Sequence, residues 1–226
     1  MASASKSASK SAPKPVPPRP APRLMLVTPL VAAPGDLART LEEALAAADI
    51  AAVILRLAAD GERVLVNRAK ELAAPVQRHG AALLIDGHAE LAARAGADGA
   101  HLAGVEAFLA AAPGLKPDRI VGVGGLTSRH DAMVAAEAGA DYLMFGEPDA
   151  EDRRPSFAAV CERVEWWAEV FEAPCVGYAG TREEIAALVA AGADFVALDP
   201  ALWIAAPAPA LAEATRLLAL PQPAAP

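Results

Sequence analysis

The apolar positions of this chain gather into short runs separated by stretches of helical spacing. The runs are 24–28 (LMLVT), 52–57 (AVILRL), 81–85 (AALLI), 99–102, 119–123, 142–145, 175–178 and 195–198. After the first, Leu37, Leu41, Ala44, Leu45 and Ala48 recur at helical spacing, predicting a helix that opens near Asp36. Further helices are expected over 62–79, where Pro75 interrupts or ends the pattern, and over 89–95. Others are expected over 105–111 (a weaker pattern), 128–138 with Ser128 or Thr127 as cap, 157–171, 181–191 and 209–220. Runs without a polar face predict strands covered on both sides, as in a parallel sheet.

One phrase recurs at three junctions. Ala95-Gly96-Ala97-Asp98, Ala138-Gly139-Ala140-Asp141 and Ala191-Gly192-Ala193-Asp194 each close a helix and open a strand. Glycine suits the left-handed position that ends a helix because it has no Cβ to clash there. Eight strands alternating with helices is the count of a (β/α)8 TIM barrel, and the loop at 29–35 lacks the G-x-G-x-x-G turn of an open dinucleotide-binding sheet. The expected fold class is therefore α/β, a single (β/α)8 barrel over 24–220. A solvated Ser/Ala/Lys/Pro-rich tail over 1–23 precedes it, and a flexible proline-rich end over 221–226 follows.

Composition narrows the function classes. With 28 acidic against 20 basic residues, the chain has a net charge of −8, and five of its cations (Lys6, Lys10, Lys14, Arg19, Arg23) stand in the tail. The rest is more acidic still, which argues against nucleic acid as a partner and requires a local positive site for any anionic substrate. No apolar run is long enough to span a membrane, and the tail has no signal-peptide core, so a cytoplasmic protein is expected. Cys161 and Cys175 fit neither a disulfide framework nor a zinc spacing, and reduced thiols are expected. A homo-oligomer stays open.

In a barrel, chemistry gathers at the carboxyl ends of the strands. Those positions hold Thr28, Arg56, Asp86, His101, Gly124-Gly125, Gly146-Glu147, 177–181 and Asp199-Pro200. Arg56 and Asp86 read either as a structural ion pair or as ligand-binding groups. His101 reads as a hydrogen-bonding core residue or, with Asp86, as an acid/base pair. Gly180 and Thr181, opening a helix, have the composition of a phosphate-binding turn, or of a plain cap in which Thr181 and Glu184 form a capping box.

The segments LLIDGHAELAARAGADGAHL, VGVGGLTSRHDAMVAAEAGADYLMFGEP and APCVGYAGTREEIAALVAAGADFVAL, in that order, resemble the thiamine phosphate synthase/TenI superfamily. The resemblance implies a barrel that joins hydroxymethylpyrimidine diphosphate to a thiazole phosphate, expelling diphosphate with magnesium. It places Arg56 in the strand-two Q-x-R-x-K motif, whose Gln and Lys are here Ile54 and Ala58. By the same resemblance, Asp86 belongs to the strand-three metal motif, and Glu106 stands where a second magnesium ligand is expected. Gly180, Thr181 and Gly146 fall on the phosphate-binding side. The family's Thr-x-Thr-Lys loop is replaced by Pro148-Asp149-Ala150-Glu151-Asp152-Arg153-Arg154, and Asp199-Pro200 stands in place of a Ser-containing loop. Three readings follow: a synthase with a remodelled pyrimidine site, a non-catalytic descendant that binds a ligand or partner, and another phosphate-ligand barrel enzyme of the isomerase or tautomerase type.

Overall fold

The computed structural model describes residues 20–219. Within them, parallel strands β1 (Arg23–Val27), β2 (Ile50–Leu55), β3 (Ala82–Asp86), β4 (Gly99–Ala103), β5 (Ile120–Gly124), β6 (Tyr142–Phe145), β7 (Cys175–Ala179) and β8 (Phe195–Leu198) close in that order into a barrel. The helices around it are α1 (Gly35–Ala47), α2 (Glu62–Gln77), α3 (Ala92–Ala95), α4 (Val105–Leu115), α5 (Arg129–Glu137), α6 (Phe157–Val170), α7 (Arg182–Ala190), α8 (Pro200–Trp203) and α9 (Pro207–Leu218). The (β/α)8 expectation holds. Most of the tail expected over 1–23, and the end over 221–226, lie outside the described residues. Arg23 itself already belongs to β1, anchored by a bidentate pair with Asp49.

Differences of detail have local causes. Pro75 sits in the last turn of α2, where the missing N–H removes a single bond near the end, so the helix runs on to Gln77. α4 likewise continues past Pro113. The helix expected over 89–95 is a 3₁₀ turn (Ala89–Leu91) followed by the single turn α3. Of the two candidate caps for α5, Ser128 serves, in a reciprocal capping box with Asp131.

The repeated phrase does more than end helices. Gly96, Gly139 and Gly192 have φ of 70°, 88° and 92°, the left-handed C′ conformation. The next residue's N–H then reaches back to the helix, from Ala97 to Ala92, Ala140 to Ala135 and Ala193 to Leu188. Each aspartate clamps a neighbouring strand through backbone and side chain together. The Asp98 N–H donates to the Leu83 carbonyl and its carboxylate accepts from the Leu83 N–H; Asp141 does the same with Val121, and Asp194 with Cys175. These clamps lie at the amino ends of the strands and fix the face opposite the chemistry.

Two apolar layers result. The larger fills the space between sheet and helices, with Leu41, Phe108, Trp167 and Trp203 fully buried. The smaller fills the barrel with alternate residues of the strands, among them Met25, Val27, Ile54, Leu84, Tyr142, Met144, Val176 and Tyr178. β5 contributes no side chain at two of its positions. A Cβ on Gly122 would lie 1.9 Å from Cζ of Tyr142, and one on Gly124 would lie 1.8 Å from Oε1 of Glu147. Those two glycines make room for the polar group described next.

Candidate active site

A cavity of about 790 Å³ opens at the carboxyl ends of the strands, lined among others by Arg56, Asp86, His101, Gly146, Glu147, Arg154 and Tyr178. Its lining includes a buried imidazole, His101 on β4, stacked at 9° on the Tyr142 ring with centroids 5.7 Å apart. Nδ1 of His101 is 2.8 Å from the Tyr142 hydroxyl, and Nε2 is 3.1 Å from Oε2 of Glu147. Because a carboxylate only accepts, the neutral ring carries its proton on Nε2 and accepts from Tyr142 at Nδ1. Burial alone would disfavour the imidazolium. The charge of Glu147, its hydrogen bond and the more distant Asp86 outweigh this and raise the His101 pKa. Burial, with Glu147 and Asp86 adding to it, pushes the Tyr142 phenol well above its usual range and keeps it a donor.

Arg56 and Asp86 face each other across the mouth. The Thr28 hydroxyl accepts from the Arg56 N–H at 3.0 Å and donates to the Pro29 carbonyl, so the end of β1 fixes the backbone from which the guanidinium departs. Arg56 Nε lies 3.9 Å from Oδ2 of Asp86, too long for a hydrogen bond, and both side chains are about a third exposed at 35% and 34%. Among the described residues the Arg56 guanidinium donates no hydrogen bond. Burial raises the Asp86 pKa; His101 and Arg56 work against that, and Glu147 adds to it.

The turn after β7 is arranged differently from its expected phosphate-binding role. The Gly180 N–H donates to Oε2 of Glu184 at 2.6 Å, and the same oxygen accepts from Arg154 at 3.1 Å. Arg154 also donates to the carbonyls of Gly146 and Tyr178 and lies 5.1 Å over the Tyr178 ring. Thr181 is the N-cap residue of α7 but makes no side-chain capping bond, so the capping box with Glu184 does not form. Neither Gly180 nor Thr181 lines the cavity, whereas Gly146 does. Asp199 caps α8 through the Ala201 N–H and accepts from the Tyr178 hydroxyl at 2.5 Å.

The metal pair implied by the resemblance is not assembled. Asp86 lines the cavity, but Glu106 is exposed on the first turn of α4 and lines none of it. Among the described residues no group of three His, Cys, Asp or Glu side chains is placed to hold a metal. The donor set therefore does not fit a protein-built magnesium site. Neither cysteine forms a disulfide among the described residues; Cys175 is buried and Cys161 partly so. Arg56, Asp86 and His101 do meet in one cavity. The sequence placed Glu147 at a strand end, Arg154 in the loop after strand six and Glu184 in a capping box, but gave none of them, nor Tyr142, the role the geometry shows.

The pattern of the family described as thiamine monophosphate synthase matches residues 24–202. The chain is similar to the thiamine-phosphate synthase of Rhodospirillum centenum, 39% identical over 202 residues that cover 87% of this chain and 97% of that one. This chain belongs to the thiamine monophosphate synthase family. A second member, the thiamine-phosphate synthase of Hyphomonas neptunium, is 38% identical over 82% of this chain and 87% of its own. The fold matches that of the thiamine phosphate pyrophosphorylase from Pyrococcus furiosus with a TM-score of 0.70, at 21% identity over 87% of this chain and 95% of that one. Within the family's barrel, the departures at strand two and in the loop after strand six both fall on this cavity: Ile54 lines it, as do Asp149, Arg153 and Arg154.

Proposed function

We propose that the protein is a transferase of the thiamine-phosphate synthase type, joining hydroxymethylpyrimidine diphosphate to a thiazole phosphate with loss of diphosphate. The observation that carries this reading is near-full-length similarity to named synthases, combined with a cavity whose mouth holds Arg56. As the bond to the leaving group breaks, the electron pair goes with the diphosphate, and a cation fixed beside it lowers the barrier. Arg153 is committed to Asp149 and Glu151, and Arg154 to two carbonyls and Glu184. Arg163, also in the lining, donates to the carbonyls of Leu126 and Thr127, so among the described residues that line the cavity Arg56 is the guanidinium left to receive the leaving group, and Asp86 holds it loosely in place. His101 and Glu147 keep the cavity wall polar beneath the reacting groups. The test is diphosphate release from both substrates in the presence of magnesium. Arg56→Ala is expected to lower the rate by two or more orders of magnitude, and unchanged turnover would remove Arg56 from that role.

A second reading, a ligand-binding descendant without turnover, is favoured by one observation: the Gly180 N–H is already satisfied by Glu184. It requires that no diphosphate appear at any magnesium concentration while the thiazole phosphate still raises the melting temperature.

A further inference from the structure

The depth of the cavity has a one-sided hydrogen-bonding character. Val27, Ile54 and Met144 present only apolar surface there. Both nitrogens of His101 are taken, one by Tyr142 and one by Glu147. The polar capacity left over beside them is the Glu147 carboxylate, which only accepts. A ring that settles against this wall must bring its own N–H donors, or the carboxylate stays desolvated without a partner.

Glu147 is held for such a task. Its side chain leaves the loop after β6, folds over Gly124 and is only 15% exposed. Any residue larger than glycine at position 124 would overlap Oε1. His101 fixes Oε2, and Tyr142 fixes His101 from the far side, stacked parallel to it and lodged where Gly122 leaves room. A carboxylate has about four lone-pair sites, of which the imidazole takes one. The remainder borders the cavity in an orientation set before any ligand arrives, so little entropy is lost when one binds.

We propose that the Glu147 carboxylate recognises the amino-bearing edge of the pyrimidine substrate, a function that the apolar Ile54 on β2 cannot supply. The inference rests on the synthase reading for the identity of the ring. An aminopyrimidine carries an exocyclic amino donor beside a ring nitrogen, and when that nitrogen is protonated the edge offers two parallel donors that match one carboxylate. This charge-assisted pairing is specific as well as strong. His101 and Tyr142 are positioning residues that hold the carboxylate. The anionic end of the same substrate is left for Arg56 at the mouth, so one cavity sorts the ligand into a donor-bearing ring held deep and an anion held outside.

The experiment is calorimetric titration of the full chain with two probes. One is the free aminopyrimidine alcohol; the other is the same alcohol with hydrogen in place of the exocyclic amino group. Wild-type protein should prefer the amino probe by about tenfold or more, the scale of one charge-assisted hydrogen bond. In Glu147→Gln the preference should shrink below about threefold, while affinity for the thiazole phosphate stays the same. Tyr142→Phe, which keeps the carboxylate but frees its support, should give an intermediate preference. Equal preference in wild type and Glu147→Gln overturns the proposal, and so does failure of the wild type to bind the amino probe at millimolar concentration. Diphosphate release by wild type alongside an undiminished preference in Glu147→Gln defeats this inference and leaves the synthase reading intact. A preference lost in Glu147→Gln without diphosphate release does the reverse.

Discussion

Gly124→Ala is the most direct test of how the site is built. The glycine ends β5 with ordinary backbone angles, so alanine is not strained by its φ. The added Cβ would lie 1.8 Å from Oε1 of Glu147, 2.4 Å from Cδ and 2.5 Å from Oε2. Ordinary contact needs roughly 3.4 Å or more, so the carboxylate must retreat by well over 1 Å. That takes Oε2, now 3.1 Å from His101 Nε2, out of hydrogen-bond reach. A fully buried N–H is then left unpaired, at a cost of about 1–3 kcal/mol. For a chain of this size the melting temperature should fall by roughly 2–12 °C. Calorimetric unfolding measures the loss, and a double-mutant cycle with Glu147→Ala assigns its origin. Once the Glu147 side chain is removed, Gly124→Ala has nothing to strike and should be nearly neutral. An equal cost in both backgrounds would refute the reasoning.

Other outcomes follow from the same geometry. The raised pKa of His101 contributes stability that is complete below its unfolded value of about 6.5 and is lost as pH rises through the folded value. Ionised Asp86, whose folded pKa is also raised, costs stability as pH rises, so both groups act in one direction. Asp49, Asp131 and Asp149, shifted down by their partners, act oppositely below about pH 4. The melting temperature should therefore fall as pH rises above about 6.5, less steeply in Glu147→Gln; identical slopes would show that Glu147 is not what holds the His101 proton. Asp194→Ala removes the acceptor for the Cys175 N–H and should cost about 1–2 kcal/mol in urea unfolding with cavity binding unchanged. Glu184→Ala frees the Gly180 N–H and one donor of Arg154, and should tighten binding of the thiazole phosphate severalfold by titration; a weaker or equal affinity would mean that Glu184 does not compete with the ligand.

The barrel was legible because its signals are local. Helical spacing, buried apolar runs and three left-handed glycines each report on neighbouring residues, and together they dictate the alternation. Arg56, Asp86 and His101 were legible for a related reason: Arg56 follows β2, Asp86 ends β3 and His101 lies in the carboxyl-terminal half of the short apolar run read as strand four, and the fold brings these positions to one mouth. The role of Glu147 was not, because a strand end places the residue at the mouth but only the chain's path folds that side chain back over β5. A faint signal existed in Gly122 and Gly124, two inward positions left empty on a strand beside His101. Glu184 was missed for the opposite reason. Its position in the first turn of α7 fits a capping box so well that only the geometry shows its oxygen bonded one residue earlier, to the Gly180 N–H and to Arg154.

The seam between the first and last strands has a consequence for how the protein is made. β1 pairs with β8, and the indole N–H of Trp203, 176 residues further along, donates to the Val27 carbonyl. A chain growing from its amino end carries β1 through nearly the whole of synthesis with one edge unpaired. Until β8 emerges, that edge is a template for any passing strand, and the interior apolar layer is open along the seam. Cellular yield should then depend less on the stability of the finished barrel than on how quickly its last quarter is delivered.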